Sequence, residues 1–111
     1  MKTLPHPDNL RFDAAQGWMM LGDLASAREE LAQLSPAVRE EPEVLELEWS
    51  LHAQRTAWAE ALRVAERLIE LFPTRAFGWI HRAYALRRVE GAGLAQAWDA
   101  KARLEAEGLS V

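Results

Sequence analysis

The feature that most constrains this chain is a repeat. The stretch LASAREELAQL, Leu24 to Leu34, lies over WAEALRVAERL, Trp58 to Leu68, at an offset of 34 residues. Leu24 falls on Trp58, Ala27 on Ala61, Leu31 on Ala65 and Leu34 on Leu68. The segments before them keep the same offset: Trp18 aligns with His52 and Leu86, and Ala15 with Trp49 and Ala83. A third copy of the second segment follows at an offset of 36, with Leu94, Ala97 and Leu104 on Trp58, Ala61 and Leu68. Its two additional residues fall in VEGAG, a glycine-containing turn where insertion costs little. A period of this length marks supersecondary units that cannot bury their apolar faces singly and therefore stack.

Each unit reads as two helices. Ala, Leu, Glu, Arg and Gln dominate, and all are good helix formers. No segment alternates with period two for long enough to be a strand. Breakers at Gly22-Asp23, Ser35-Pro36, Pro42, Arg55-Thr56, Pro73, Gly91 and Gly93 predict six helices, near 9–20, 24–35, 43–54, 57–71, 75–89 and 94–107. Short connections make sequential helices antiparallel hairpins. Ala27, Ala61 and Ala97 let paired helices approach closely, while Trp and Leu fill the grooves beside them. The expectation is an all-α chain: an extended lead-in over 1–8, then one domain over 9–107. Its three helix-turn-helix units span about 8–41, 42–75 and 76–111.

Composition narrows the function classes. Half of the 111 residues are apolar and 27% are charged, which is the balance of a folded chain, not a disordered one. The absence of cysteine excludes disulfides, thiol chemistry and cysteine-ligated zinc. A net charge of −4 argues against nucleic-acid and anionic-membrane surfaces. No apolar run approaches the ~20 residues of a membrane span. The opening MKTLPHPDNLRFD has prolines and charges where a signal peptide has an apolar stretch, so a cytoplasmic location is expected.

The period and pattern resemble the tetratricopeptide repeat. Trp58, Ala61, Leu68, Pro73, Trp79 and Ala83 match that family's aromatic, small, apolar, proline, tryptophan and small positions in order. Trp18, Gly22, Leu24 and Ala27, in WMMLGDLASA, match the end of one helix, the tight turn and the start of the next. There are departures. Thr56 stands where the family often has Gly, and Arg39 where the first unit should have its proline. Trp49 is large where a small residue is usual, which predicts unusual spacing between the first helices of units one and two. The resemblance covers about residues 9–107. It implies a short right-handed superhelix whose first helices line a concave surface. It also implies a protein–protein interaction module, an adaptor or chaperone-like scaffold that binds a peptide or helix of another protein.

By the same register, the concave positions are Asn9, Phe12, Gln16 and Met19 in unit one, and Glu43, Glu46, Ser50 and Ala53 in unit two. Unit three supplies Phe77, Ile80, Tyr84 and Arg87, with Arg88 at the rim. The stretch PTRAFGWIHRAYALRRVE thus carries two apolar stripes: Trp79, Ala83 and Leu86 on a packing face, Phe77, Ile80 and Tyr84 on another. The second stripe is either a groove floor for a partner or an internal face against the preceding unit or the lead-in. One subclass of the family grips C-terminal carboxylates with Lys and Asn. Here those positions hold Glu, Ser and Gln, with Asn9 the one amide match, so that clamp is not expected.

Chemistry-bearing patterns are weak. The five tryptophans read as packing residues. Glu48 and His52 share a helix face, but no second ligand pair accompanies them, and His6 and His81 are distant in sequence. No metal or cofactor is expected. Ser26, Ser35, Ser50 and Ser110 lie in no Gly-x-Ser-x-Gly setting, and GAG follows no strand and precedes no Lys-Ser/Thr. The chain does not read as an enzyme. The run REEPEVLELE, with five glutamates, is either an exposed helix start or an acidic groove wall. A second functional reading is a homo-oligomer. The sequence stops seven residues after Leu104 without a polar capping helix, so Leu94, Trp98 and Lys101 would form a self-complementary dimer face.

Overall fold

The computed structural model describes residues 3–106, with side chains described through residue 91. Its helices are α1 (Asp8–Met20), α2 (Leu24–Ala32), α3 (Pro42–Gln54), α4 (Trp58–Leu71) and α5 (Ala76–Ala106). There is no strand among the described residues, so the chain is all-α.

Local chemistry accounts for the helix ends. The Asp23 carboxylate accepts from the Ser26 backbone N–H at 3.0 Å and from its hydroxyl at 2.8 Å, capping α2. Pro42 opens α3, where its missing N–H costs nothing, and Glu43 suits the positive end of the helix. The turn between paired helices is made twice in the same way. After α1, Gly22 N–H donates to the Met19 carbonyl (3.1 Å) and Asp23 N–H to that of Trp18 (2.9 Å). After α3, Thr56 N–H donates to Ala53 (3.0 Å) and Ala57 N–H to His52 (2.8 Å). These crossed bonds close the last helical carbonyls and require one residue in the left-handed region. Gly22 takes it at φ 79° and Thr56 at φ 54°. The sequence period is therefore also a backbone period.

The paired helices α1 and α2, and α3 and α4, pack against each other, and α3 also contacts α1 and α2. Ala27 and Ala61 are fully buried at these crossings. Phe12, Leu34, Val38 and Val44 form one core cluster, joined by Leu4 of the lead-in. Met19, Ala27 and Leu51 form a second, and Trp49, Ala61, Ala65 and Ala85 a third. Asp8 latches the first hairpin: its carboxylate accepts from the Ser35 N–H (3.0 Å) and hydroxyl (2.6 Å). Those bonds hold its carboxyl below the usual range. Arg39 donates to the Ala32 and Leu34 carbonyls at the end of α2, which gives a physical role to the residue standing at the repeat's proline position.

Two expectations are corrected here. First, the third helix-turn-helix unit does not form: the predicted helices 75–89 and 94–107 are one 31-residue helix, α5, which runs through Gly91 and Gly93. Glycine permits a turn without imposing one. Inside a helix it costs only about 1 kcal/mol against Ala, and good helix formers flank it on both sides. Because α5 outruns the 14-residue α4, the molecule is elongated, 64 × 31 × 21 Å. Second, Trp18 and Trp79 are exposed, not packed, while Trp49 and Trp58 lie in or against the core.

Candidate functional site

A groove lies between α3 and α5, and Trp49 decides its shape. Trp49 is only 7% exposed and stands among four other rings. Its ring centroid is 6.4 Å from Trp58, 6.1 Å from Phe77, 4.5 Å from His81 and 5.9 Å from Tyr84, all in tilted or edge-to-face geometry. Such pairs contribute about 0.5–1.5 kcal/mol each beyond area burial. Phe77 and His81 stack at 3.6 Å, and the His81 Nδ1–H donates to the Phe77 carbonyl at 2.9 Å. That bond places the ring's acceptor at Nε2 when the imidazole is neutral.

The apolar face expected to pack, with Trp79 and Ala83, is not the face that does. Trp79 is 53% exposed, with its indole N–H donating to the Pro73 carbonyl, and Ala83 is exposed. Instead α5 turns Gly78 and fully buried Ala85 inward. A Cβ at Gly78 would stand 3.2 Å from Leu68 Cβ, so only a residue without one fits without adjustment. Trp49, whose size predicts unusual spacing between the first helices of units one and two, packs instead among rings of α4 and α5.

The sequence-predicted groove residues divide into two adjoining concavities. Phe12, Gln16, Glu43, Glu46, Ser50 and Phe77 line one of about 340 Å³. Ile80, Tyr84, Arg87 and Arg88 line a larger one of about 830 Å³, together with Trp49, Ala53, Gln54, Trp58 and His81. Asn9 lines a third, of about 210 Å³, which shares Phe12, Gln16 and Glu43 with the first. Met19 lines none of them. It is buried with Ala27 and Leu51, because its place on α1 faces the α2 crossing. The stripe of Phe77, Ile80 and Tyr84 is split. Phe77 packs on Trp49, while Ile80 is 61% and Tyr84 45% exposed. Trp58 and His81 were not anticipated as site residues; the oversized Trp49 was the available signal, since its ring must be surrounded by something.

Charge distinguishes the two concavities. Arg88 lies 3.4 Å from the Tyr84 ring centroid and 4.8 Å from that of Trp58, and donates to the Tyr84 carbonyl at 3.1 Å. Guanidinium over an aromatic face is a favourable, pre-organised arrangement. Neither Arg87 nor Arg88 has a carboxylate partner among the described residues. At the other end, Glu43 has no cation partner among the described residues, and Glu46 pairs with Arg75 at 3.2 Å. The Ser50 hydroxyl donates to the Glu46 carbonyl.

Glu48 and His52 lie elsewhere, beside a pocket of about 290 Å³ between α2 and α3, with Arg28 and Arg39. Their side chains are 3.9 Å apart. Burial pushes the Glu48 carboxyl up and the His52 imidazole down. Among the described residues no three His, Cys, Asp or Glu side chains gather as a metal site. No helix among them is long and apolar enough to cross a membrane. The proposed dimer face, Leu94, Trp98 and Lys101, lies outside the residues whose side chains are described. Comparison with protein-family models, curated proteins and solved structures found no match for this chain.

Proposed function

We propose that this chain is a cytoplasmic protein–protein interaction module of tetratricopeptide-like design, an adaptor or chaperone-like scaffold. Its α3–α5 groove holds a peptide or helix segment of another protein. The carrying observation is the large concavity, where exposed Ile80 and Tyr84 adjoin two arginines without carboxylate partners among the described residues. Apolar anchors with charges beside them are what peptide recognition uses, anchors for affinity and charges for register. The repeat of the turn hydrogen bonds at 34 residues supports the short-superhelix reading for the first two units. The test is capture from host lysate by wild type and by an Ile80→Ala/Tyr84→Ala/Arg87→Ala variant. Tyr84 also packs on Trp49 and Trp58, so circular dichroism first has to show that the variant keeps its helix content. A protein captured by wild type and lost by the folded variant is the expected result; identical captures would sink the groove reading.

A second reading, homo-oligomerisation, draws on the length by which α5 outruns α4. It predicts a dimer in sedimentation equilibrium that Trp98→Ala/Leu94→Ala dissociates.

A further inference from the structure

We infer that the groove selects a charge-segregated segment: carboxylates at one end, apolar side chains in the middle, cations at the other. This rests on the groove being the partner site.

The two helices cross the groove in the same order. Glu43, Glu46 and Phe77, early in α3 and α5, line one end. Gln54, Arg87 and Arg88, late along each helix's groove face, line the other. From Glu43 to Gln54, or from Phe77 to Arg88, is about 16 Å of helix at 1.5 Å per residue. A segment of about five extended residues spans that length.

The polar groups at the ends are opposite in kind. At the late end, Arg87 and Arg88 are cations, and no carboxylate among the described residues lines their concavity. The Trp49 indole N–H, in a side chain more than nine-tenths buried, also has no acceptor. The stacking of Arg88 on Tyr84 and Trp58 fixes its fork before any ligand arrives, which suits a carboxylate. At the early end, Glu43 faces the groove beside Asp13, and no cation among the described residues lines either concavity there; Glu46 is paired with Arg75, so Glu43 carries the free charge of this end. Between the ends lie Trp49 and Ile80, an apolar middle. A wholly acidic segment meets repulsion at Glu43, and a wholly basic one at Arg87 and Arg88. Single-stranded nucleic acid would find rings and arginines to stack on, but its phosphates would run into the acidic end.

The test is selection of a random peptide library, displayed on phage, on the immobilised full chain. The expected winners carry Asp or Glu at one end and Lys or Arg at the other, with about three to five residues, some apolar, between them. The best winner, made synthetically, should lose about tenfold or more in affinity against Arg87→Glu, read by fluorescence anisotropy. Arg87 is exposed and makes no hydrogen bond or ion pair among the described residues, so that variant should stay folded. The quadruple variant Glu43→Arg/Glu46→Arg/Arg87→Glu/Arg88→Glu should bind the same peptide with its acids and bases exchanged. Winners of one charge sign, or without segregation, overturn the inference and leave the groove reading standing. No enrichment overturns both. Anisotropy binding of an oligothymidylate probe that competes with the peptide would replace the polypeptide partner with a nucleic acid.

Discussion

The first hairpin carries Ala15 where the second carries Trp49, and the helix that follows each responds differently. After the first hairpin, α3 packs against both α1 and α2. After the second, α5 packs closely on α4 and meets α3 mainly through the rings around Trp49. The two hairpins otherwise share their turn bonds, their buried alanines and their buried leucines, Leu34 and Leu68. The Trp49 ring, at the repeat position of Ala15, stands among the rings of α4 and α5 and lines the concavity between α3 and α5.

The strongest way to break this comparison is to make the two hairpins alike. Trp49→Ala should cost about 3–5 kcal/mol, the usual loss for a buried tryptophan, read as a lower urea midpoint. A cost below about 1 kcal/mol would mean that α5 collapses onto α3 and that the wedge is dispensable. Next in size is Gly78→Ala. Its Cβ would meet Ile69 Cγ1 at 3.0 Å and Leu68 Cβ at 3.2 Å. Overpacking of this kind costs about 1–3 kcal/mol against about 1 kcal/mol gained in helix propensity, so a net loss between zero and about 2 kcal/mol is expected. A gain in thermal stability would show that α5 is not held against α4 there.

The turns sharpen the comparison further. Thr56 adopts the left-handed conformation that Gly22 adopts in the first hairpin. A β-branched residue there is strained by about 1–2 kcal/mol, so Thr56→Gly should stabilise by about 1 kcal/mol and Gly22→Thr destabilise by a similar amount. Thermal melts of the two variants moving in the same direction would refute the equivalence of the turns. The smallest effect at neutral pH concerns Asp8, a latch for which the second hairpin has Pro42. Its folded carboxyl is held low by the Ser35 bonds, so the unfolded chain binds the proton more readily. The latch contributes its full stability above the unfolded carboxylate pKa and loses it as pH falls through the lower folded value. Asp8→Ala should flatten the loss of melting temperature with pH below about 4. An unchanged acid limb would show that Asp8 is not coupled to folding.

Much of this was legible in the sequence because it rests on local signals. Helices α1, α3 and α4 start and stop within a residue of their predicted bounds, since caps, prolines and left-handed turns act over a few residues. The register brought Phe12, Gln16, Glu43, Glu46, Ser50 and Phe77 to one concavity, because residues at equivalent repeat positions share a face. Met19 was misplaced: the register gives its face of α1 but not how α2 covers it.

What the sequence by itself determined is the helical period, the turn chemistry and the two small alanines at which paired helices cross. What only the tertiary structure decided is which face α5 turns inward and whether Gly91 and Gly93 end it. Trp79, Ala83 and Leu86 form as good an apolar stripe as Gly78, His81 and Ala85 do a close-packing one, and periodicity cannot rank them. The choice depends on the shape presented by Trp49 and α4, and that shape exists only once the second hairpin has folded. Glycine leaves both a turn and a continuous helix open, so its outcome is settled by what surrounds it and not by the residue.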